Sequence, residues 1–175
     1  MRLKILALLV LFNCASAAVS EERRVYLEDA GGARLAIATL NFRPDGSYSA
    51  RMNETVFADH FLSMRPFKCL EGPDKLWCHV PYPYAIDRNV SSDLTDIEYD
   101  FLFVWKGADA YGIDMWNGIY YRLSEQDGKL VGELHEMDMN VLAAPPAAGD
   151  MRPVDDAQIH PPDPDSHWLP RMVIE

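Results

Sequence analysis

The chain has 175 residues, about half of them hydrophobic, with 27 acidic against 16 basic side chains and a net charge near −11 at neutral pH. This is enough apolar material for one real core and too little length for two ordinary domains. The charge excludes nucleic acid as a natural partner and disfavours anionic membrane surfaces, since both are held through Lys and Arg and the sequence has no basic run.

Residues 1–17 read as a secretory signal peptide: Arg2 and Lys4 precede an apolar run over 5–12, and Ala15-Ser16-Ala17 is a small-residue cleavage pattern. The run is too short to span a hydrocarbon layer about 30 Å thick, so no stable membrane anchor is expected. The mature chain should begin just after Ala17 as a periplasmic or secreted protein. Cys14 leaves with the signal, and Asn13 before it is not the small residue that a lipid-anchoring signal uses. The expected organisation is a signal over 1–17, a β-rich domain over 18–144 and a proline-rich tail over 145–175 packing on that domain.

Short segments with strand chemistry follow one another, each bounded by Gly, Pro, Asp or Asn. Strands are expected near 24–29, 34–42, 47–57, 62–70, 76–80, 98–105, 117–123 and 129–137. In 47–53, Tyr48, Ala50 and Met52 alternate with Ser49, Arg51 and Asn53, so one face is buried and the other wet. Arg43-Pro44-Asp45-Gly46 precedes that strand as a tight turn, Gly31-Gly32 closes the first hairpin, and Gln126-Asp127-Gly128-Lys129 joins the last two strands.

Between these turns lie the two cysteines that remain after export, Cys69 and Cys78. They flank Glu71-Gly72-Pro73-Asp74-Lys75, a spacing that suits a disulfide pinning two antiparallel strands.

The stretch 91–105 supports two readings. Leu94, Ile97, Phe101 and Trp105 fall at helical spacing, whereas Ile97, Tyr99, Phe101, Phe103 and Trp105 alternate as a strand. Aromatic enrichment favours a short helical turn after Ser92 followed by a strand. From Pro145 onward seven of the twelve prolines occur, which keeps the tail out of a sheet interior and predicts an extended run over the surface. Its last segment, Trp168-Leu169-Pro170-Arg171-Met172-Val173-Ile174, is apolar enough to dock back. The expected fold class is all-β, mainly antiparallel, as a small barrel or sandwich. This exported, strand-rich, barrel-sized layout resembles lipocalin-type barrels in general architecture, which implies a fold and no particular activity.

Eleven of the nineteen aromatic residues lie between Trp77 and Tyr121, a density that suits an amphipathic small ligand or a sugar ring as well as a core. Proline holds Tyr82 and Tyr84 outside the sheet ladder, and Asn117 beside Trp116 offers donors and an acceptor. The candidate ligand-binding residues are therefore Trp77, Tyr82, Tyr84, Trp116 and Asn117, for an apolar or carbohydrate-bearing small molecule. Asp96, Glu98 and Asp100 alternate and on a strand would share one face; without the glycine and distal Glu of a calcium loop they read as a solvated acidic stripe. His135 with Met137 and Met139 raises copper chemistry, but alternation makes His135 a half-buried strand residue. No metal or other cofactor is implied. The expected function is an exported, monomeric binding or envelope-associated accessory protein. The alternatives are a small hydrolase using His60 or His135 with nearby carboxylates, where Asp59-His60 and Ser63 supply the residue types, and a structural module that engages a partner through its tail.

Overall fold

In the computed structural model, residues 19–62, 66–163 and 165–175 are described; the signal expected over 1–17 and Ser63 lie outside them. Alternation and turn chemistry produce eleven strands: β1 Glu21–Glu28, β2 Arg34–Phe42, β3 Tyr48–Met52, β4 Ala58–Phe61, β5 Pro66–Glu71, β6 Lys75–His79, β7 Phe103–Gly107, β8 Gly118–Gln126, β9 Lys129–Met137, β10 Ile159–His160 and β11 Arg171–Ile174. One helix, α1 Thr95–Asp100, interrupts them. The turns behave as their residues require. Asp127 and Gly128 both take positive φ, the two-residue hairpin geometry that matches strand twist, and β8 pairs with β9 without a break from Gly118–Met137 to Gln126–Lys129.

All strands join one antiparallel sheet in the order β3-β2-β1-β11-β9-β8-β7-β6-β5-β4, with β10 added against β9. β3 and β4 are consecutive in sequence yet form opposite edges. A flat sheet of ten strands would be about 43 Å wide at a spacing of about 4.8 Å, whereas the six residues from Met52 to Ala58 reach at most about 22 Å. The sheet therefore curls into a half-barrel, open along the seam between β3 and β4. A single curled sheet stands where the sequence left barrel and sandwich as alternatives.

Curling gives the sheet two unequal faces. Val25, Leu27, Leu40, Trp77, Phe103 and Tyr121 meet on the concave side. Cys69, Cys78, Val104, Tyr120 and Met137 form a second cluster on the other face, covered by the loops that carry Tyr82 and Met139. The Cys69–Cys78 disulfide lies in this second cluster, across the directly opposed residues of β5 and β6. The pairing expected from the sequence is present.

Two segments close the ends. The β6–β7 connection carries α1 to the end that holds the β2–β3 and β8–β9 turns, and Ile97 and Phe101 drop into the inner core. The region 91–105 is thus a short helix and then a strand, in the order expected, but α1 takes the first residues of the stretch expected as strand over 98–105 and β7 begins only at Phe103. At the other end, which holds the β1–β2 and β5–β6 turns, the chain returns through Trp168 and Leu169 into β11.

That return corrects the expectation of a tail lying wholly on the surface. β11 sits between β1 and β9 in the middle of the sheet. The physical reason is local: the last proline is Pro170, so 171–174 keeps every backbone donor, and Met172, Val173 and Ile174 are all buried. The described prolines before it, Pro145, Pro146, Pro153, Pro161 and Pro162, all lie outside the strands.

Candidate functional site

At the end closed by the C-terminal segment, the β5–β6 turn begins with Gly72, where a side chain is sterically excluded: a Cβ there would stand 2.6 Å from the Trp168 ring. Trp168 packs edge-on to Trp77 with ring centroids 6.0 Å apart. His167 stands edge-on to both Trp77 and Trp105, at 5.6 and 5.8 Å. Lys75 holds the segment from outside, its Nζ lying 4.0 Å from the centre of the Trp105 ring and donating to the Ser166 carbonyl at 2.5 Å. Tyr121 donates its hydroxyl to the Leu169 carbonyl at 2.6 Å. His167 Nε2 lies 2.6 Å from the Glu136 carboxylate. Burial pushes the His167 pKa below the ordinary imidazole value despite that carboxylate, so the ring is neutral near pH 7 and donates from Nε2.

Beside Trp168 opens a cleft of about 470 Å³. Leu35, Val56, Phe57 and Leu70 give it apolar walls drawn from both sides of the seam, while Asp29, Arg34 and Glu71 set polar groups among them. The adjoining aromatic cluster has an unusual polar balance. Trp77 Nε1, Trp105 Nε1, Trp168 Nε1 and His167 Nδ1 are buried without a hydrogen-bond partner among the described residues. More than nine in ten buried polar groups in folded proteins are paired, so four in one contiguous ring cluster call for a reason.

The α1 end is built differently. Its three carboxylates are buried rather than solvated, which corrects the acidic-stripe expectation. On a helix, residues two apart are rotated by about 200° and residues four apart by about 40°, so Asp96 and Asp100 share one face and Glu98 points away from it. Asp96 pairs with Arg152 at 2.8 Å and accepts the Asn89 amide. Asp100 receives both Nε and Nη2 of Arg88, the latter at 2.7 Å, and the Tyr48 hydroxyl at 2.8 Å. Glu98 accepts the Tyr120 hydroxyl and, at 2.6 Å, the Leu123 amide on the edge of β8 that β7 leaves uncovered. Burial raises the pKa of Glu98, and it raises those of Tyr48 and Tyr120 as well.

The five ligand-binding candidates are not gathered into one cleft. Trp77 is fully buried in the inner core. Tyr82 and Tyr84 pack edge to face at 5.6 Å on the opposite face of the sheet and donate their hydroxyls to the carbonyls of Met151 and Leu142, both at 2.8 Å. Trp116 is 70 % exposed on the β7–β8 loop. Asn117 next to it is half-buried, its backbone carbonyl accepting the Trp105 amide. Of the five, only Trp77 belongs to the aromatic cluster at the cleft.

Among the hydrolase candidates, His60 pairs with Glu71 at 2.9 Å while Asp59, one residue earlier and so on the other face of β4, pairs with Lys68. His135 bonds the Glu133 carbonyl. Met137 is buried in the outer cluster, and no group of three or more potential metal ligands exists among the described residues. His167 and Trp168 escaped the sequence reading as site residues; the only signal was the apolar run from Trp168 to Ile174. No protein-family model matches the chain, and no curated protein or solved structure is significantly similar to it.

Proposed function

We propose that the chain is an exported binding protein that receives an apolar or carbohydrate-bearing small molecule in the cleft beside Trp168. The observation that carries this reading is the pairing of that cleft with three indole nitrogens and one imidazole nitrogen, all buried and all without a hydrogen-bond partner among the described residues. A ligand with apolar bulk and hydroxyl groups matches both features: the bulk covers Leu35, Phe57 and Leu70, and the hydroxyls accept from indole N–H groups and donate to His167 Nδ1, the acceptor nitrogen of the neutral ring. A half-barrel open at one seam gives such a molecule a way in, in the manner of barrel-mouth sites.

Export is part of the same proposal. The 1–17 pattern supplies the address, and the Cys69–Cys78 disulfide suits an oxidising compartment. No helix among the described residues is long and apolar enough to cross a membrane. The hydrolase reading has less support, because His60 and His135 each face an exposed carboxylate or a backbone carbonyl.

Isothermal titration with octyl glucoside below its micellar concentration tests the site, since that probe joins a sugar ring to an alkyl chain. Saturable binding is expected, together with its loss in Ala58→Trp, which fills the cleft from the seam side. A linear, non-saturating response, or an Ala58→Trp protein that binds as well as wild type, overturns the assignment.

A further inference from the structure

We propose that a second cleft, between α1 and β8, is a separate ligand site that takes a primary ammonium or guanidinium group carried on a short apolar stem, with the Glu98 carboxylate as its counter-ion. This cleft holds about 420 Å³. Glu98 lines it at only 7 % exposure, and both its partners, the Tyr120 hydroxyl and the Leu123 amide, are neutral donors.

The comparison along the same helix is what points to a ligand. Asp96 and Asp100 are equally buried, and each has an arginine in direct contact. No cation touches Glu98 among the described residues. Arg122 lines the same cleft, but its guanidinium is turned to Asp156 at 2.6 Å. A carboxylate removed from water is costly unless a cation meets it, and neutral hydrogen bonds recover only part of that cost.

The surroundings select the same chemistry. Asp93 and Asp156 stand exposed on the rim, each already paired with a guanidinium, that of Arg152 and that of Arg122, so the charge left over in the cleft is that of Glu98. Leu94, Val154 and Ile159 supply apolar wall for a stem of a few methylenes. An anionic ligand would meet the Glu98 carboxylate with both nearby guanidiniums already paired, and a neutral one would leave the Glu98 charge uncompensated. The site lies at the α1 end, away from Trp168, so it stands or falls independently of the binding reading given above.

The test uses three probes that share a four-carbon stem and differ in charge: butylammonium, 1-butanol and butyrate. The Leu123 amide, bonded to Glu98, is the reporter in ¹H–¹⁵N spectra of the full mature protein. Butylammonium is expected to shift that resonance saturably, while 1-butanol and butyrate leave it unmoved. Glu98→Gln, which keeps the shape and the acceptor for Leu123, should weaken binding at least tenfold. Should that variant fail to fold, wild type titrated with butylammonium at falling pH replaces it: the probe keeps its charge, and affinity must drop as Glu98 takes up a proton. Equal responses to butylammonium and 1-butanol, undiminished binding in Glu98→Gln, or affinity unchanged across the Glu98 titration would each overturn the proposal.

Discussion

The two ends of the half-barrel solve the same problem with opposite materials. Both must cover the rim of an apolar trough with a segment that is not part of the sheet's meander. At the α1 end the cover is ionic: Asp96 and Asp100 leave water only because Arg152 and Arg88 go with them. At the other end the cover is aromatic, with Trp77, Trp105, His167 and Trp168 stacked edge to face and several polar nitrogens left without partners among the described residues. At the first end one buried carboxylate, Glu98, is left without a cation among the described residues; at the second several ring nitrogens are left without a hydrogen-bond partner, so one end holds charge in reserve beside its cleft and the other hydrogen-bonding capacity.

The largest expected effect sharpens this contrast from the aromatic side. Trp77 is fully buried and touches Phe103, Tyr121, His167 and Trp168. Trp77→Ala should cost about 3–5 kcal/mol of unfolding free energy, as truncations of large buried rings do. Chemical denaturation measures it, and a loss below about 1 kcal/mol would mean that this end is loosely packed rather than merely unsatisfied.

Removing the guanidinium at the ionic end comes next. Arg88→Ala leaves Asp100 buried with only the Tyr48 hydroxyl. Stranding a buried charge costs several kcal/mol, but Arg88 is itself 45 % exposed, so water partly replaces it and about 2 kcal/mol is expected. The double variant Arg88→Ala with Asp100→Asn should recover part of the loss; no recovery would show that the pair acts through packing alone.

Cys69→Ser touches neither end and calibrates both. Its disulfide closes a loop of sequence separation 9 on the outer face, and its removal should cost roughly 2–3 kcal/mol while leaving protection from hydrogen exchange at both ends in the same rank order.

Acid separates the ends more finely, because each holds one histidine whose pKa burial has lowered: His79 against the Asp100 carbonyl and His167 against Glu136. In both cases the folded state prefers the neutral ring. The unfolded chain therefore binds protons first, and stability that is complete above the ordinary imidazole pKa of about 6.5 declines as pH falls below it. Glu98 acts in the opposite sense at lower pH, since its raised pKa favours proton uptake by the folded state. Comparing wild type with His79→Gln and His167→Gln in denaturation at stepped pH isolates each histidine. A variant whose pH slope matches wild type shows that its histidine is not titrating in this window.

The smallest effect belongs to the β7–β8 loop. Trp116 is 70 % exposed and Tyr111 fully so, and truncating either to Ala should change stability by no more than about 0.5 kcal/mol. A larger loss for Trp116 would return it to the packed part of the molecule.

Much of this architecture was legible in the chain. Strand-type residues bounded by glycine-bearing turns placed β2 and β9 to the residue, and the turn between Cys69 and Cys78 specified their pairing, because strand chemistry and positive-φ turns are encoded within a few neighbours. The helix-then-strand reading of 91–105 followed from two overlapping local periods.

Other features depend on residues far apart in sequence, and only the tertiary structure decided them. Asp96, Glu98 and Asp100 carry no local mark that tells a wet stripe from three buried charges; Arg88, Arg152 and Tyr120 make the difference from up to 56 positions away. Tyr82 and Tyr84 fall outside the ladder as proline requires, yet the carbonyls of Met151 and Leu142 turn them inward. The aromatic end required β11 to enter between the first strand and the ninth. Alternation says which face of a strand is apolar, but the identity of its neighbour is fixed by closure of the whole sheet, a non-local balance of packing and chain entropy that no short window contains.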